Sequence, residues 1–395
     1  MSEIILKPGK EKPVRNRHPW IFSGAIQRIK GNPANGDIVN ILDTRSRFLA
    51  RGYLNRLSQI TVRILTWNDA ENIDEDFFRR RLQNAIAGRS ALMKAPDTNA
   101  FRLCYGESDL IPGLIVDRYE EYLILQALTM GIERWKECIA DLLMDLLHPQ
   151  SIYERSDVPS RRKEGLPLTA GSLRGSEPPD LVETKENGHR FLVDIKKGQK
   201  TGFYLDQREN RRRVSLYCKE ARVLNCFAYT GGFSVYAAAA GAISVDNVDS
   251  SSGALEIASQ NMALNGFGRS STQYTTGDVF QLLRDYGREG RTFDLIILDP
   301  PKFAPSQGKV AAACRGYKDI NLLAMRILNP GGILATFSCS GLIGAGLFQK
   351  VLFGASVDAG RDVQIIGYLS QGSDHPVLLT FPESAYLKGM LCLVH

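Results

Sequence analysis

The sequence predicts an α/β protein in which a doubly wound, mostly parallel sheet follows a small β-rich barrel and a small α+β unit. Three observations predict it. From residue 190 onward, apolar strand-like runs alternate with stretches of helical period, the pattern of a parallel sheet with crossover helices. Residues 1–67 instead carry short alternating runs broken by turn residues, and residues 101–155 mix a hairpin pattern with one helical period. The 395 residues are enough for two or three cores. The parts are expected at 1–80, 81–185 and 186–395.

In the first part, Trp20-Ile-Phe22, Asp37 to Leu42, Phe48-Leu-Ala50 and Gln59 to Leu65 read as strands, with Gly31, Pro33, Asn35 and Gly36 turning the chain before the second. Residues 1–66 hold 12 Lys/Arg against 4 Asp/Glu, a net of +8, more than the +6 of the whole chain. Such a local excess is the footprint of phosphate binding. The run Arg15 to Phe22 mixes cations with aromatics, as RNA-binding surfaces do. The alternative is a barrel plugged by Trp20 and Phe22 with its cations simply solvated.

Residues 68–98 predict one helix, acidic in its first turn at Asp74-Glu-Asp76 and with an apolar stripe of Leu82, Ala85 and Ile86. Leu114-Ile-Val116 and Tyr122 to Gln126 read as a hairpin, Ile132 to Leu147 as a helix and Ser151 to Glu154 as a strand. The Pro, Gly and Ser of 156–185 read as an irregular connector with a surface loop at Arg161-Arg-Lys163. Beyond it, strands are expected at 222–227, 243–249, 271–275, 293–299, 332–338, 363–368 and 387–394. Helices are expected at about 231–241, 252–265, 279–287, 315–328 and 343–359. No helical pattern separates the last two strands, so the final one is expected to run antiparallel.

Composition narrows the class. Hydrophobic content of 44% and charged content of 23% are ordinary for a globular protein. No apolar run approaches the ~20 residues of a membrane span, and the N-terminus lacks a signal peptide's apolar core. A cytosolic (cytoplasmic) protein without membrane contact is expected. The seven cysteines, at 104, 138, 218, 226, 314, 339 and 392, are scattered and include no Cys-x-x-Cys pair. That argues against a disulfide framework and against a metal site.

The chemistry is concentrated at strand ends. Leu295-Ile-Ile-Leu298 reads as a strand buried on both faces, and Pro300-Pro301 must leave the sheet. Asp299 and Phe303 therefore sit on a stiff loop at the carboxyl end of a parallel strand, where ligands bind in such sheets. The acid suits the edge of a flat base and the ring its face; the bland alternative is a rigid turn. Arg222 to Tyr236 reads as strand, glycine turn and helix, where Gly231 and Gly232 admit a ligand to the backbone. It is not G-x-G-x-x-G, which weakens a dinucleotide reading. Asp249 ends the next strand, where a ribose is gripped, and Asp278 opens a helix where it can take an adenine amino group.

This order is similar to the class I S-adenosylmethionine-dependent methyltransferases, a Rossmann-like fold. The match extends to Lys200 to Asn210, Asp299 to Phe303, Cys314 to Asn321, Phe337-Ser-Cys-Ser-Gly341 and Asp374-His-Pro376. With the basic barrel in front, the whole chain resembles the ribosomal RNA large subunit methyltransferase I family, most specifically over 199–341. The resemblance implies a PUA domain, a small central domain and a catalytic domain. It also implies S-adenosyl-L-methionine as cofactor, large-subunit (23S) ribosomal RNA as partner, and methylation of cytosine C5. On it, Gln199, Thr201, Phe203, Asp206 and Arg208 close over the cofactor's methionine end. Asn225, Phe227, Tyr229, Gly231 and Gly232 line that end, Asp249 binds the ribose, and Asp278 and Asp299 complete the cofactor set. Arg15, Arg17, Lys302 and Phe303 contact RNA. Monomer and homodimer both stay open.

Cytosine C5 is too weak a nucleophile to take a methyl group from a sulfonium. Addition of a thiolate at C6 turns C5 into an enamine-like carbon. Cys339, in a Ser-Cys-Ser-Gly turn after a strand, is the candidate nucleophile, and Asp299 would hold the ring edge. A buried structural cysteine is the alternative. A thiol of ordinary pKa near 8.5 needs local positive charge to ionise, and Lys302 is the nearest cation by sequence. Many RNA cytosine-C5 methyltransferases place a second cysteine after the proline of the aspartate loop. Here Pro301 and Lys302 occupy that place, so the base that removes the C5 proton is unassigned. Cys314 is expected to cap the start of a helix. Two rivals compete: methylation of a base nitrogen without a cysteine nucleophile, and a non-catalytic RNA-binding assembly factor. A base inside a duplex is out of reach, so the substrate must be single-stranded or flipped.

Neutralising Arg15 and Arg17 together is expected to weaken RNA binding and flatten its salt dependence, with cofactor affinity unchanged. Filter binding and calorimetry check this, and equal loss of both affinities would refute the division of labour.

Overall fold

The computed structural model describes residues 2–268, 271–304 and 306–395. It parts into two compact units: Met1–Lys185 with Val193–Leu205 and Ser373–Ser384, and Glu186–Leu192 with Asp206–Gly372 and Ala385–His395.

The first unit opens with six strands: β1 (Glu3–Leu6), β2 (Trp20–Ile21), β3 (Ile26–Lys30), β4 (Ile38–Leu42), β5 (Phe48–Leu54) and β6 (Val62–Thr66), with a single turn of helix, α1 (Lys12–Arg15). They form one sheet in the order β2-β6-β5-β4-β1-β3. β1 runs parallel to β4 and antiparallel to β3. Neither β1 nor β3 was expected: β1 is four residues long, and β3, at the sheet edge, offers only Ile26 and Ile29, both half-buried. Aliphatic residues such as Ile4, Leu6, Val39, Ile41, Leu54 and Ile64 fill this core. Phe22 does not plug it; the ring is 50% exposed.

Next come α2 (Glu75–Ala87) and α3 (Ser90–Met93), two helices where one was expected over 68–98. Asp74 starts the first by accepting a hydrogen bond from the Phe77 amide at 2.9 Å, and the chain breaks at Gly88. Strands β7 (Ala100–Tyr105), β8 (Leu114–Tyr119), β9 (Tyr122–Ala127), β10 (Ser151–Ser156) and β11 (Thr169–Gly175) make a second sheet, with α4 (Met130–Leu147) between β9 and β10. Phe77, Phe78, Leu82, Leu125, Ile139 and Leu143 pack in its core. The expected irregular connector is thus partly a strand, β11, paired antiparallel with β10. Arg161 is not on a surface loop. It is fully buried, donating to the Pro167 and Ala127 carbonyls and pairing with Glu133 at 2.8 Å. A charge run does not reveal which of its members has partners inside.

The chain passes toward the second unit through β12 (Val182–Glu186) and β13 (His189–Val193), then α5 (Arg208–Ser215). Seven strands follow: β14 (Arg222–Cys226), β15 (Ser244–Asp249), β16 (Thr272–Thr276), β17 (Phe293–Leu298), β18 (Leu328–Ser338), β19 (Val363–Ser370) and β20 (Lys388–Val394). Their order is β16-β15-β14-β17-β18-β20-β19. The first five are parallel, and β20 lies antiparallel between β18 and β19, as expected. Helices α6 (Gly232–Ala239), α7 (Ser252–Leu264), α8 (Val279–Arg288), α9 (Val310–Ile327) and α10 (Ala345–Ala359) link the strands. Alternate β17 residues serve the two faces. Ile296 and Leu298 pack with α8, α9 and α10, and Leu295 and Ile297 with Val214 of α5 and Phe233 of α6. α9 starts five residues earlier than expected, because Val310-Ala-Ala-Ala313 continues the helical run. Cys314 therefore lies inside α9, more than a turn from its start, and caps nothing.

Among the described residues no helix is long and apolar enough to cross a membrane, and no cluster of His, Cys, Asp and Glu could hold a metal ion.

One buried ion pair anchors α5. The Arg211 guanidinium meets both Glu186 oxygens, at 2.7 and 2.6 Å, and the Tyr236 hydroxyl adds a bond to the same carboxylate at 3.0 Å. Both charged side chains are almost fully buried. Arg211→Met would strand the Glu186 charge and is expected to cost about 3–5 kcal/mol, measured by urea unfolding.

Candidate active site

In the second unit the carboxyl ends of β14, β15, β17 and β18 carry most of the candidate residues. After β14 the backbone is strained. Phe227 and Tyr229 have φ of 59° and 48°, and Gly231 has 77°. Left-handed geometry costs a side-chain-bearing residue about 1–2 kcal/mol, and strain of this kind collects at ligand loops. Asp249, ending β15, holds the turn: its carboxylate accepts from the Tyr229 amide at 2.8 Å and the Ser251 amide at 2.9 Å. At Gly231 a Cβ would stand 3.0 Å from the Ala258 Cβ of α7, so packing as well as φ demands glycine there. Asn225 is buried in β14 and donates to Ser234 at 2.8 Å. Exposed Asp278 caps α8, accepting from the Gln281 amide at 3.0 Å.

Asp299 follows β17 and is half-buried. The Gln207 amide donates to it at 2.9 Å, Asn210 donates to Gln207 at 2.6 Å, and Asn210 also donates to the Ser370 carbonyl at 2.9 Å. Gln207 was not singled out in the sequence; only its place in the family-like run Lys200 to Asn210 could have pointed to it. Beside it, the Asp206 carboxylate accepts from the Tyr386 hydroxyl, and Arg208 is fully buried. Lys302 is exposed. Phe303 packs in an aromatic cluster, 4.7 Å from the Tyr317 ring centre and 5.9 Å from that of Phe280.

Cys339 follows β18. Ser338 and Ser340 on either side are fully buried, while Cys339 is only half-buried. Ser338 donates to the Tyr317 hydroxyl at 3.1 Å and Ser340 to the Ala304 carbonyl at 3.4 Å. The Cys339 Sγ lies 3.9 Å from the Pro300 carbonyl, so the cysteine turn and the aspartate loop meet. The Tyr317 phenol, pushed up mainly by burial, also feels Cys339 and Asp299. A second cation unread in the sequence reaches this turn: Lys388, at the start of β20, donates to the Ser340 carbonyl at 2.5 Å.

The other candidates lie in the first unit. Thr201 is buried, its hydroxyl donating to Asp117 at 2.7 Å and bonded to Tyr119 at 3.0 Å. The Phe203 amide donates to the same Tyr119 hydroxyl at 3.1 Å, and exposed Gln199 accepts from Tyr204. Arg15 pairs with buried Asp43 at 3.2 Å. Arg17 lies over the Trp67 ring at 5.5 Å.

Gln207→Leu removes the side-chain donor that aims Asp299. It is expected to lower turnover about a hundredfold by misplacing the Asp299 carboxylate, and the circular-dichroism unfolding midpoint by a few degrees because buried Asn210 loses its acceptor; rapid-quench kinetics measures the loss of turnover.

Comparison with known proteins agrees with this geometry. Residues 4–67 match a model of PUA-like domains, and residues 162–355 a model of S-adenosylmethionine-dependent methyltransferases. The whole fold is similar to that of an S-adenosylmethionine-dependent methyltransferase from Streptococcus mutans, with a TM-score of 0.86 and 21% identity over the full length of both chains. The ribosomal RNA large subunit methyltransferase I of Shewanella amazonensis is 50% identical over 99% of both chains. That of Aeromonas salmonicida is 51% identical over 98% of both. A likeness of this extent, over a chain whose strand ends assemble these loops, means that the protein belongs to the ribosomal RNA large subunit methyltransferase I family, with S-adenosylmethionine as its cofactor.

Proposed function

We propose that this protein methylates C5 of cytosine in large-subunit ribosomal RNA, in the cytoplasm, with Cys339 as the nucleophile. The observation that carries the reading is the meeting of the Cys339 turn with the Asp299 loop, Sγ 3.9 Å from the Pro300 carbonyl. That meeting supports a nucleophile acting beside a group for the ring edge.

The residues present fit the cofactor. In the turn after β14 the buried Thr230 hydroxyl has no hydrogen-bond partner among the described residues. Asp249 and the strained residues Phe227 and Tyr229 surround that turn. Asp249 would take the ribose hydroxyls, and the α6 N-terminus favours a carboxylate. When bound, S-adenosylmethionine supplies the electrophilic methyl group.

The protein's own residues do the rest. The Cys339 thiolate adds to C6, and the electron pair moves toward N3, where Asp299 favours protonation. C5 becomes nucleophilic and takes its methyl group. Loss of the C5 proton to a water molecule then restores the C5–C6 double bond and expels the thiolate, and N3 gives back its proton. Gln207 and Asn210 keep Asp299 in place throughout. Arg15 at the end of α1 and Arg17 just after it, in the PUA-like region, contribute sequence-independent affinity for the phosphate backbone.

The test is transfer of label to unmodified large-subunit ribosomal RNA followed by nucleoside analysis. The expected product is 5-methylcytidine, and Cys339→Ala is expected to lower its formation about a thousandfold or more. An N-methylated base, or full activity in Cys339→Ala, would return Cys339 to a packing role. Absence of any product would refute the substrate assignment.

A further inference from the structure

The proposed chemistry needs a thiolate, and the sheet itself brings a cation to it. β20 runs antiparallel to β18 with Lys388 paired opposite Ser338, the residue before Cys339. The Lys388 Nζ donates to the carbonyl of Ser340, the residue after it, at 2.5 Å. The half-buried Lys388 thus spans the cysteine turn from a neighbouring strand, its main chain in register with Ser338 and its ammonium on the Ser340 carbonyl. We propose that Lys388 is the positioning residue that stabilises Cys339 as a thiolate, through an ammonium fixed over the Ser338–Ser340 turn. This rests on the reading of Cys339 as the nucleophile. Ionisation sends the thiol proton to solvent and leaves the ammonium in place.

The surrounding charges bear on that role. Burial holds Lys388 down to about 8, with the Cys339 charge acting to raise it and Lys302 to lower it. The Tyr317 phenol feels both Cys339 and Asp299, and the Asp299 carboxylate, as a like charge, would oppose the thiolate that Lys388 favours. Just before β20, Tyr386 is engaged with Asp206, and on β19 the residue in register, Ser370, is uncharged. Below about pH 8 the ammonium is present; above it the charge is lost and the thiolate loses its partner. Lys302, the nearer cation in sequence, is exposed and so more strongly screened.

The experiment measures alkylation of Cys339 by iodoacetamide against pH, read by mass spectrometry of its peptide, in wild type, Lys388→Gln and Lys388→Arg. The wild-type midpoint is expected below the ordinary ~8.5 of a thiol. In Lys388→Gln it is expected to rise by about one pH unit, with turnover at pH 7 falling about tenfold. Lys388→Arg keeps its charge to higher pH and is expected to hold activity beyond the alkaline limit of the wild type. Equal midpoints in wild type and Lys388→Gln would overturn the pairing. Cys339→Ala separates the two claims: if it still methylates RNA, the nucleophile reading falls, while the alkylation midpoints continue to decide whether Lys388 governs the thiol.

Discussion

Parallel pairing of β17 with β18 is the constraint on which the site depends. Leu298 stands opposite Thr336, so both strands run out at the same edge of the sheet. Two prolines stop the first, and a turn anchored by buried serines ends the second. Because neighbouring parallel strands point the same way, their following loops converge without any specific attraction between them. The loops that carry Asp299 and Cys339 meet, with Sγ against the Pro300 carbonyl, because the backbone register brings them together.

Around that edge, polar groups are fixed by one another. Gln207 is aimed by Asn210, which is aimed by the Ser370 carbonyl. Asp249 is engaged by two backbone amides. Each link is an ordinary hydrogen bond, of about 1 kcal/mol net, but a buried donor left unmet costs more than that. The network therefore resists rearrangement more strongly than its individual bonds suggest. The two aromatics in left-handed geometry after β14 belong to the same economy: local strain tolerated because Asp249 and the helix behind it define the turn.

Most of the second unit was legible in the sequence. Its strands are buried on both faces and read as apolar runs, and its helices have clear periods, so boundaries fall within a few residues. Residues at strand ends, Asp249, Asp299 and Cys339, could be placed because position along a parallel strand implies an edge. The short, half-buried β3 could not be read, and the proline- and glycine-rich stretch before residue 185 hid the edge strand β11. Arg161 looked like a surface charge because burial depends on partners remote in the chain, Ala127 and Glu133. Gln207 and Lys388 share that difficulty. Lys388 is 48 residues from the carbonyl it bonds, and nothing local distinguishes it from any lysine at the start of a strand.

The insertion of β20 between β18 and β19 has a consequence for biosynthesis. Strands are made in chain order, yet this one is completed after both of its neighbours and must enter between them. Until it emerges from the ribosome, the hydrogen-bonding edge of β18 lacks its partner, and β19 has nothing to join. A nascent chain with every other strand in place would still carry an open edge, a hazard for misassociation. It would also lack the cation beside its cysteine. On the proposed pairing of Lys388 with Cys339, ionisation of that thiol would wait until β20 has entered the sheet.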